Sequence, residues 1–224
     1  MSLILNIDTA VETASVCLAR GRTIVGFEMN SQQKDHAAWL HPAIEAVLKG
    51  NQLSVQDLSA VAVSEGPGSY TGLRVGMAAA KGLCYAMNIP LIGISTLAMM
   101  ASAALEAPTE LVCPMIDARR NEVFTAVFDK KLNIILPPAN LILDEESFGD
   151  LLQTSSITFF GNGSVKFQKI NSKAQALFSD YPSDAKNMVL LSLALFEARE
   201  FRNLAYAEPF YGKEFHSPKA NNLA

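Results

Sequence analysis

Gly66-Pro67-Gly68-Ser69-Tyr70-Thr71-Gly72-Leu73-Arg74 opens a segment that runs to Met87, and a β-like stretch, Ala60-Val61-Ala62-Val63-Ser64, feeds into it. Three glycines, with Pro67 fixing one φ between the first two, suit a tight strand-to-helix turn with a close backbone approach. Ser69 or Thr71 can cap the helix that this turn opens, because a hydroxyl accepts from an orphan amide of the first helical turn. Between Ser69 and Met87 the only charges are Arg74 and Lys81. A helix this apolar around its girth does not lie on a wet surface. Its own domain covers both sides, or another chain covers one of them. Gly72, Gly76, Ala79 and Ala80 are expected to let a neighbouring helix come close.

The chain has 224 residues, enough for one large or two small domains. Half of it is hydrophobic and 18 % is charged, a globular composition. The net charge is −4 without a long Lys/Arg run, so the bulk field does not favour nucleic acid. Cys17, Cys84 and Cys113 sit singly in apolar runs. That pattern fits buried thiols in a reducing compartment and offers no zinc spacing. The opening, Met1 to Asp8, has no basic stretch and meets a carboxylate too early for a signal peptide. Gly82 to Leu105 is uncharged and long enough to span a bilayer, but Asn88-Ile89-Pro90 reads as a turn and Leu91 to Ile94 as a short buried strand. The expectation is a soluble, cytoplasmic protein.

Working outward from the glycine turn, Leu3–Ile7, Glu12–Ala19 and Thr23–Met29 read as strands. Lys34–Leu48 reads as a helix with Leu40, Ala43, Ile44, Val47 and Leu48 at spacings of three and four. After strand 91–94 comes a helix from Thr96 to Leu105. Beyond Pro108-Thr109 the pattern begins again. Leu111 to Asp117 is a strand ending in Ile-Asp, as Leu3 to Asp8 was. Glu122–Phe128 is a second strand, and Asn133–Leu136 starts a third before Pro137-Pro138 breaks the pattern. A short helix over 145–152, a strand over 157–160 and a long helix over 184–201 come next. The last has Met188, Leu191, Leu195 and Ala198 on one face. Tyr206, Phe210, Tyr211 and Phe215 suggest that the tail packs somewhere. The strand–helix alternation alone supports an α/β class. The repeat adds a duplication. Two β-β-β-α-β-α-like halves, 1–107 and 108–224, describe the actin-like (ASKHA, ribonuclease H-like) architecture.

Asp8-Thr9 and Asp117 stand at the carboxyl ends of first strands, where α/β sheets put ligands. Asp117, beside Arg119 and Arg120, reads as an ion-paired turn residue. Asp8 stays open between that role and a nucleotide-facing one, with Thr9 beside it. The glycine turn is neither a Walker A loop nor a Rossmann fingerprint. Tyr70 and Arg74 on its rim are residue types enriched at protein interfaces. His36 and His41 are five apart and do not share a helix face as a metal pair would. His216 is alone. Gly161-Asn162-Gly163-Ser164 resembles an adenosine turn but also an ordinary strand-to-helix loop. No nucleophile elbow or acid–base pair stands out.

From Gly66 to Gly76, with Ile7-Asp8-Thr9, His36–Leu48, Ile94-Ser95-Thr96-Leu97 and Asp117–Phe124 in order, the chain resembles the TsaB (YeaZ) family. The resemblance implies a non-catalytic subunit that pairs with its catalytic paralogue, TsaD. TsaD transfers a threonylcarbamoyl group to adenosine 37 of tRNAs reading ANN codons. The ATPase TsaE is implied as a third component and tRNA as an indirect partner. It implies pairing through the helices of 34–48 and 69–87. The interface would use His36, Trp39, Leu40, Ala43, Ser69, Tyr70, Thr71, Gly72, Leu73, Arg74, Gly76, Met77 and Ala80, with Gly66, Pro67 and Gly68 as the structural turn. A homodimer is the alternative for the chain alone. Thr96 and Met100 fall where TsaD carries a His-x-x-x-His metal pair, and neither supplies an imidazole. No cofactor is therefore expected on the isolated chain, with ATP or ADP and Mg entering only in the complex. Two rivals remain: a nucleotide-dependent phosphotransferase using Asp8, Asp117 and the 161–164 turn, and, ranked last, a peptidase of the M22 kind.

Overall fold

The computed structural model describes residues 1–32 and 35–212. The first sheet holds β1 (Leu3–Asp8), β2 (Ala14–Arg20), β3 (Thr23–Asn30), β4 (Ala60–Gly66) and β5 (Leu91–Ser95), in the order β3-β2-β1-β4-β5. The second holds β6 (Leu111–Asp117), β7 (Glu122–Asp129), β8 (Ile134–Ile142), β9 (Ile157–Phe160) and β10 (Ala176–Phe178), in the order β10-β9-β6-β7-β8. Replacing β1 by β6, β2 by β7 and so on converts one order into the other. The senses match as well: each first strand pairs antiparallel with the second and parallel with the fourth. The fold is thus an α/β duplication of the actin-like kind, and the two Ile-Asp steps are equivalent positions in it.

Strand alternation sorts the side chains into three layers. Leu3, Leu5 and Ile7 of β1 face outward, under α1 (His36–Gly50) and α2 (Tyr70–Met87), and meet Leu40, Ile44, Val47, Met77, Ala80 and Cys84. Ile4, with Ala60 and Ala62 of β4, faces inward and meets α3 (Thr96–Ala103) and the inner face of the second sheet, including Val112, Phe124, Phe128 and Phe160. The outer face of the second sheet packs Phe159 and Val127 against Leu152 of α4 (Gly149–Thr154) and Phe167 of α5 (Ser164–Gln168). A 3₁₀ turn, Ala185–Met188, and α6 (Val189–Glu197) fill the central layer. No helix among the described residues is long and apolar enough to cross a membrane.

Three elements depart from the sequence reading. The strand expected to stop at Pro137-Pro138 continues through them to Ile142. This is permitted because β8 is an edge strand, where a missing ladder donor faces solvent. The long helix expected over 184–201 begins as the 3₁₀ turn, which Asp184 and Asn187 cap reciprocally, continues as α6 and stops at Glu197. Of the face expected through Met188, Leu191, Leu195 and Ala198, Met188 is buried and Leu191 and Leu195 pack partly against the central layer, while Ala198 is exposed; α6 also buries Val189, Ser192 and Leu193. The short helix of 145–152 lies at Gly149–Thr154. Phe215 and His216 lie outside the described residues.

Candidate functional site

The glycine turn joins β4 to α2 as its composition suggests. The Ser69 hydroxyl accepts from the Gly72 N–H at 3.3 Å, capping the helix. The Ser69 N–H donates to the Ala10 carbonyl at 2.7 Å, and the Thr9 hydroxyl donates to the Gly72 carbonyl at 2.7 Å. The start of α2 is therefore pinned to the turn after β1. A Cβ on Gly68 or Gly72 would sit well under 3 Å from the Ala10 or Thr9 carbonyl oxygen. One on Gly76 would strike the Thr9 hydroxyl. The glycines expected to admit a neighbouring helix admit the chain's own β1–β2 turn.

Most of the apolar girth is explained the same way. Of the residues expected to contact a partner, Leu40, Ala43, Gly72, Leu73, Gly76, Met77 and Ala80 are buried inside the chain. His36 is also buried, and Trp39 packs partly against the outer core. Burial pushes the His36 imidazole down, against a bond to the Glu12 backbone. Ser69, Tyr70, Thr71 and Arg74 are exposed. The residues that α2 turns outward are Thr71, Arg74, Ala78, Gly82, Tyr85 and Ala86, and α1 beside it presents Ala37, Ala38, His41 and Pro42, then Glu45, Ala46, Lys49 and Gly50, with Glu45 and Lys49 paired to each other. A Cβ on Gly82 meets nothing within 4 Å. Two adjacent helices thus turn mostly small residues outward, and the charges among them are Arg74 and the Glu45–Lys49 pair.

Asp8 and Thr9 are fully buried, and neither lines the cleft between the sheets. The Asp8 carboxylate accepts from the Ser64 hydroxyl at 2.5 Å and the Ala10 N–H at 3.0 Å. Its second oxygen has no hydrogen-bond partner among the described residues. Burial pushes its carboxyl up to about 6, with the two hydrogen bonds opposing and Asp184 adding to the rise. The 3₁₀ turn lies against β1 and β2, and its Ala185 N–H donates to Ser15 Oγ at 2.8 Å. That segment closes Asp8 off.

The cleft itself is about 880 Å³, bounded by the β1–β2 turn, the glycine turn, the β6–β7 hairpin, the β9–α5 turn and Asp180–Ser183. Asn162 bridges its two walls. Its amide donates to Glu12 at 3.1 Å, and its side-chain oxygen accepts from the Asp117 N–H at 2.8 Å. The Gly161–Ser164 segment is a strand-to-helix turn, with the Ser164 hydroxyl donating back to the Gly161 carbonyl. Asp117 is the paired residue expected, but its partners are Lys166 at 2.5 Å and the Arg119 N–H at 2.6 Å. Partial burial works to raise its carboxyl, and these two bonds outweigh that and hold it below the usual range. Thr96 and Met100 are buried at α3. The described residues contain no group of three His, Cys, Asp or Glu side chains placed to hold a metal.

Long-range contacts of the tail escaped the sequence reading, beyond the hint in its aromatics. Arg202 forms a two-bond ion pair with Glu65 at 2.9 and 2.5 Å, and its N–H donates to the Leu91 carbonyl at 2.8 Å. The Phe210 N–H donates to the Glu65 carbonyl at 2.6 Å. Lys81 donates to the Ala207 carbonyl at 2.9 Å. Arg74 Nε donates to the Tyr211 hydroxyl at 3.0 Å. The Arg74 guanidinium lies 4.1 Å above the Tyr70 ring, and the Tyr70 and Tyr211 rings are 4.9 Å apart.

Residues 24–207 match the family model described as TsaD, tRNA N6-adenosine threonylcarbamoyltransferase. Three curated relatives carry the name tRNA threonylcarbamoyladenosine biosynthesis protein TsaB. The Bacillus subtilis protein is 34 % identical over 143 residues, 62 % of each chain. The Escherichia coli protein is 37 % identical over 132 residues, 58 % of this chain and 56 % of its own. The Haemophilus influenzae protein is 40 % identical over 123 residues, 54 % and 51 %. The chain therefore spans between about half and three-fifths of the length of these relatives. Among solved structures, YeaZ from Pseudomonas aeruginosa superposes with a TM-score of 0.81 at 22 % identity, covering 94 % of this chain and 100 % of its own. A second structure, described as similar to peptidase YeaZ from the same organism, reaches 0.85 at 24 %, covering 95 % and 100 %. These two establish the fold alone. The chain belongs to the family that the model describes and, within it, to the TsaB/YeaZ family.

Proposed function

We propose that the chain takes part in making threonylcarbamoyladenosine in tRNA, as a non-catalytic subunit that binds and activates a TsaD-type transferase acting on adenosine 37 of tRNAs reading ANN codons. The observation that carries this reading is the outward face of α2 with α1. Its alanines and Gly82 permit helices to approach closely, the charges of α1 there, Glu45 and Lys49, neutralise each other, and Arg74 and Tyr70 stand at its end. The names of the relatives support the pathway, and the match of this chain to the TsaD family model supports a TsaD-type protein as its paralogue. In this reading the ATPase TsaE joins the pair, tRNA is met through the complex, and the assembly works in the cytoplasm. Nucleotide and Mg enter with the partners. A phosphotransferase built on Asp8 is disfavoured because that carboxyl is sealed under the 3₁₀ turn.

The test is Gly82→Arg. The position is open, so the variant folds with a melting temperature close to that of the parent. Its affinity for purified TsaD is expected to fall roughly 30-fold, about 2 kcal/mol, and modified tRNA in the reconstituted system to fall with it. Unchanged affinity and unchanged modification would place the partner elsewhere on the surface. Leaving out each component in turn checks the need for this chain.

A further inference from the structure

We infer that the tail from Arg202 to Gly212 forms a third side of the partner-binding face, with Tyr211 positioning Arg74 and Tyr206 and Phe210 offered to the transferase subunit. This rests on the reading of α2 given above and adds a component from the other end of the chain.

The tail has a built docking track. Two glycines of the first half leave it room, one of which, Gly66, also has a positive φ of 118°. A Cβ on Gly66 would meet the Phe210 carbonyl oxygen, and one on Gly93 would meet the Glu65 carboxylate and Arg202, in each case under 3 Å. The tail lies beside α2 and runs against it. Ala207 is held by Lys81, and Tyr211 is held by Arg74 and Tyr70, so rising tail numbers meet falling helix numbers. Gly212 ends between Pro67 and Phe124.

What the tail uses to hold on is informative. Its anchors are backbone N–H groups, one carbonyl, one two-bond ion pair and the Tyr211 hydroxyl. Leu204 and Ala207 pack partly against the outer core and Tyr211 against Tyr70, but two large rings are left outside: Tyr206 is 82 % exposed and Phe210 51 %. Those two rings add little to the chain's own fold, since an aromatic side chain stabilises chiefly through the area it buries. Tyr85 of α2 is also 82 % exposed, one helical turn beyond Lys81. The result is an aromatic ridge of Tyr85, Tyr206 and Phe210 along the stripe of α2 that carries Arg74 and Lys81. Tyr together with Arg is the composition of an interface hot spot. The occupant is the transferase subunit because the ridge continues the face assigned to it.

The experiment uses the full chain and purified TsaD, with Kd measured by calorimetry and folding followed by thermal melts. Tyr206→Ala removes a ring with little internal contact. It is expected to weaken binding about fivefold with no change in melting temperature. Tyr211→Ala is expected to weaken it about tenfold. Tyr211→Phe, which keeps the ring stack and loses the bond to Arg74, should fall between. Arg74→Ala combined with Tyr211→Ala should be no worse than the stronger single change, the signature of one unit. Wild-type affinity in both Tyr206→Ala and Tyr211→Ala, with Gly82→Arg impaired, overturns the role of the tail and leaves the α2 reading standing. Wild-type affinity in all three removes both.

Discussion

Gly72→Ala is expected to destabilise the protein by about 4 kcal/mol or more, which puts it among the severe single substitutions. The direction is opposite to the ordinary one. Within a helix, Gly→Ala normally stabilises by up to about 1 kcal/mol, because alanine loses less backbone freedom on folding. At Gly72 the new methyl group would lie on the Thr9 carbonyl oxygen. Backbone of the β1–β2 turn cannot swing aside without releasing the Thr9 hydroxyl from the Gly72 carbonyl and the Ser69 N–H from Ala10. Gly76→Ala meets a side-chain hydroxyl instead of backbone and should cost less. Gly82→Ala, on the open side of the same helix, should stabilise by about 0.5–1 kcal/mol. Urea titrations followed by circular dichroism rank the three. A Gly72→Ala midpoint within error of the parent would mean that the close approach of α2 to β1 does not exist in solution. Substitutions at Gly72 or Ala79, both buried, therefore report on folding. Ala78 and Gly82, both exposed, are the positions at which the proposed pairing is tested.

That pair of outcomes marks what the sequence can and cannot say about α2. The helix, its Ser69 cap and the turn were legible, because glycine, proline and serine act locally. The side facing a neighbour was not. Alanine and glycine suit a wet surface and a tight interior equally, so Ala78 outside and Ala79 inside look alike in the letters. The duplication was legible from two strands ending in Ile-Asp, since equivalent strands carry equivalent patterns. The three-residue β10 and five-residue α5 are too short to show a period. The buried face of α6 was legible only in part, because Val-Leu-Leu-Ser-Leu-Ala-Leu-Phe is apolar all round: Leu191 and Leu195 pack against the central layer as their spacing suggests, and only contact with that layer adds Val189 and Leu193. The docking of the tail left no periodic trace. It depends on a Glu65–Arg202 ion pair across the length of the chain and on backbone bonds that any residue type can make.

Asp8→Asn should stabilise the protein at neutral pH by about 3 kcal/mol and have almost no effect near pH 4. In the unfolded chain this carboxyl titrates at 3.8; in the native protein burial raises it to about 6. Below about pH 4 both states hold the proton, and the residue makes no pH-dependent contribution. Between about 4 and 6 the unfolded chain has released its proton while the native state keeps it, so native stability falls as pH rises. Above 6 the loss is complete, and about two pH units correspond to about 3 kcal/mol. Asparagine never ionises. Its side-chain oxygen can go on accepting from the Ser64 hydroxyl and the Ala10 N–H, the two bonds that the carboxylate accepts now. The difference between parent and variant, measured by denaturant titration from pH 4 to 8, should therefore grow through this window and level off above it. The comparison cancels every other titrating group that is left unchanged. A difference that is flat with pH would mean that Asp8 ionises normally and is wetter than its place under the 3₁₀ turn allows. The same variant separates the two functional readings of the residue. If the isolated chain bound ATP and Mg at micromolar levels and Asp8→Asn abolished that binding, Asp8 would face a nucleotide. A stabilised Asp8→Asn variant that still supports full tRNA modification with TsaD and TsaE is the outcome expected of a buried carboxyl in a subunit whose work is done at its outer helices.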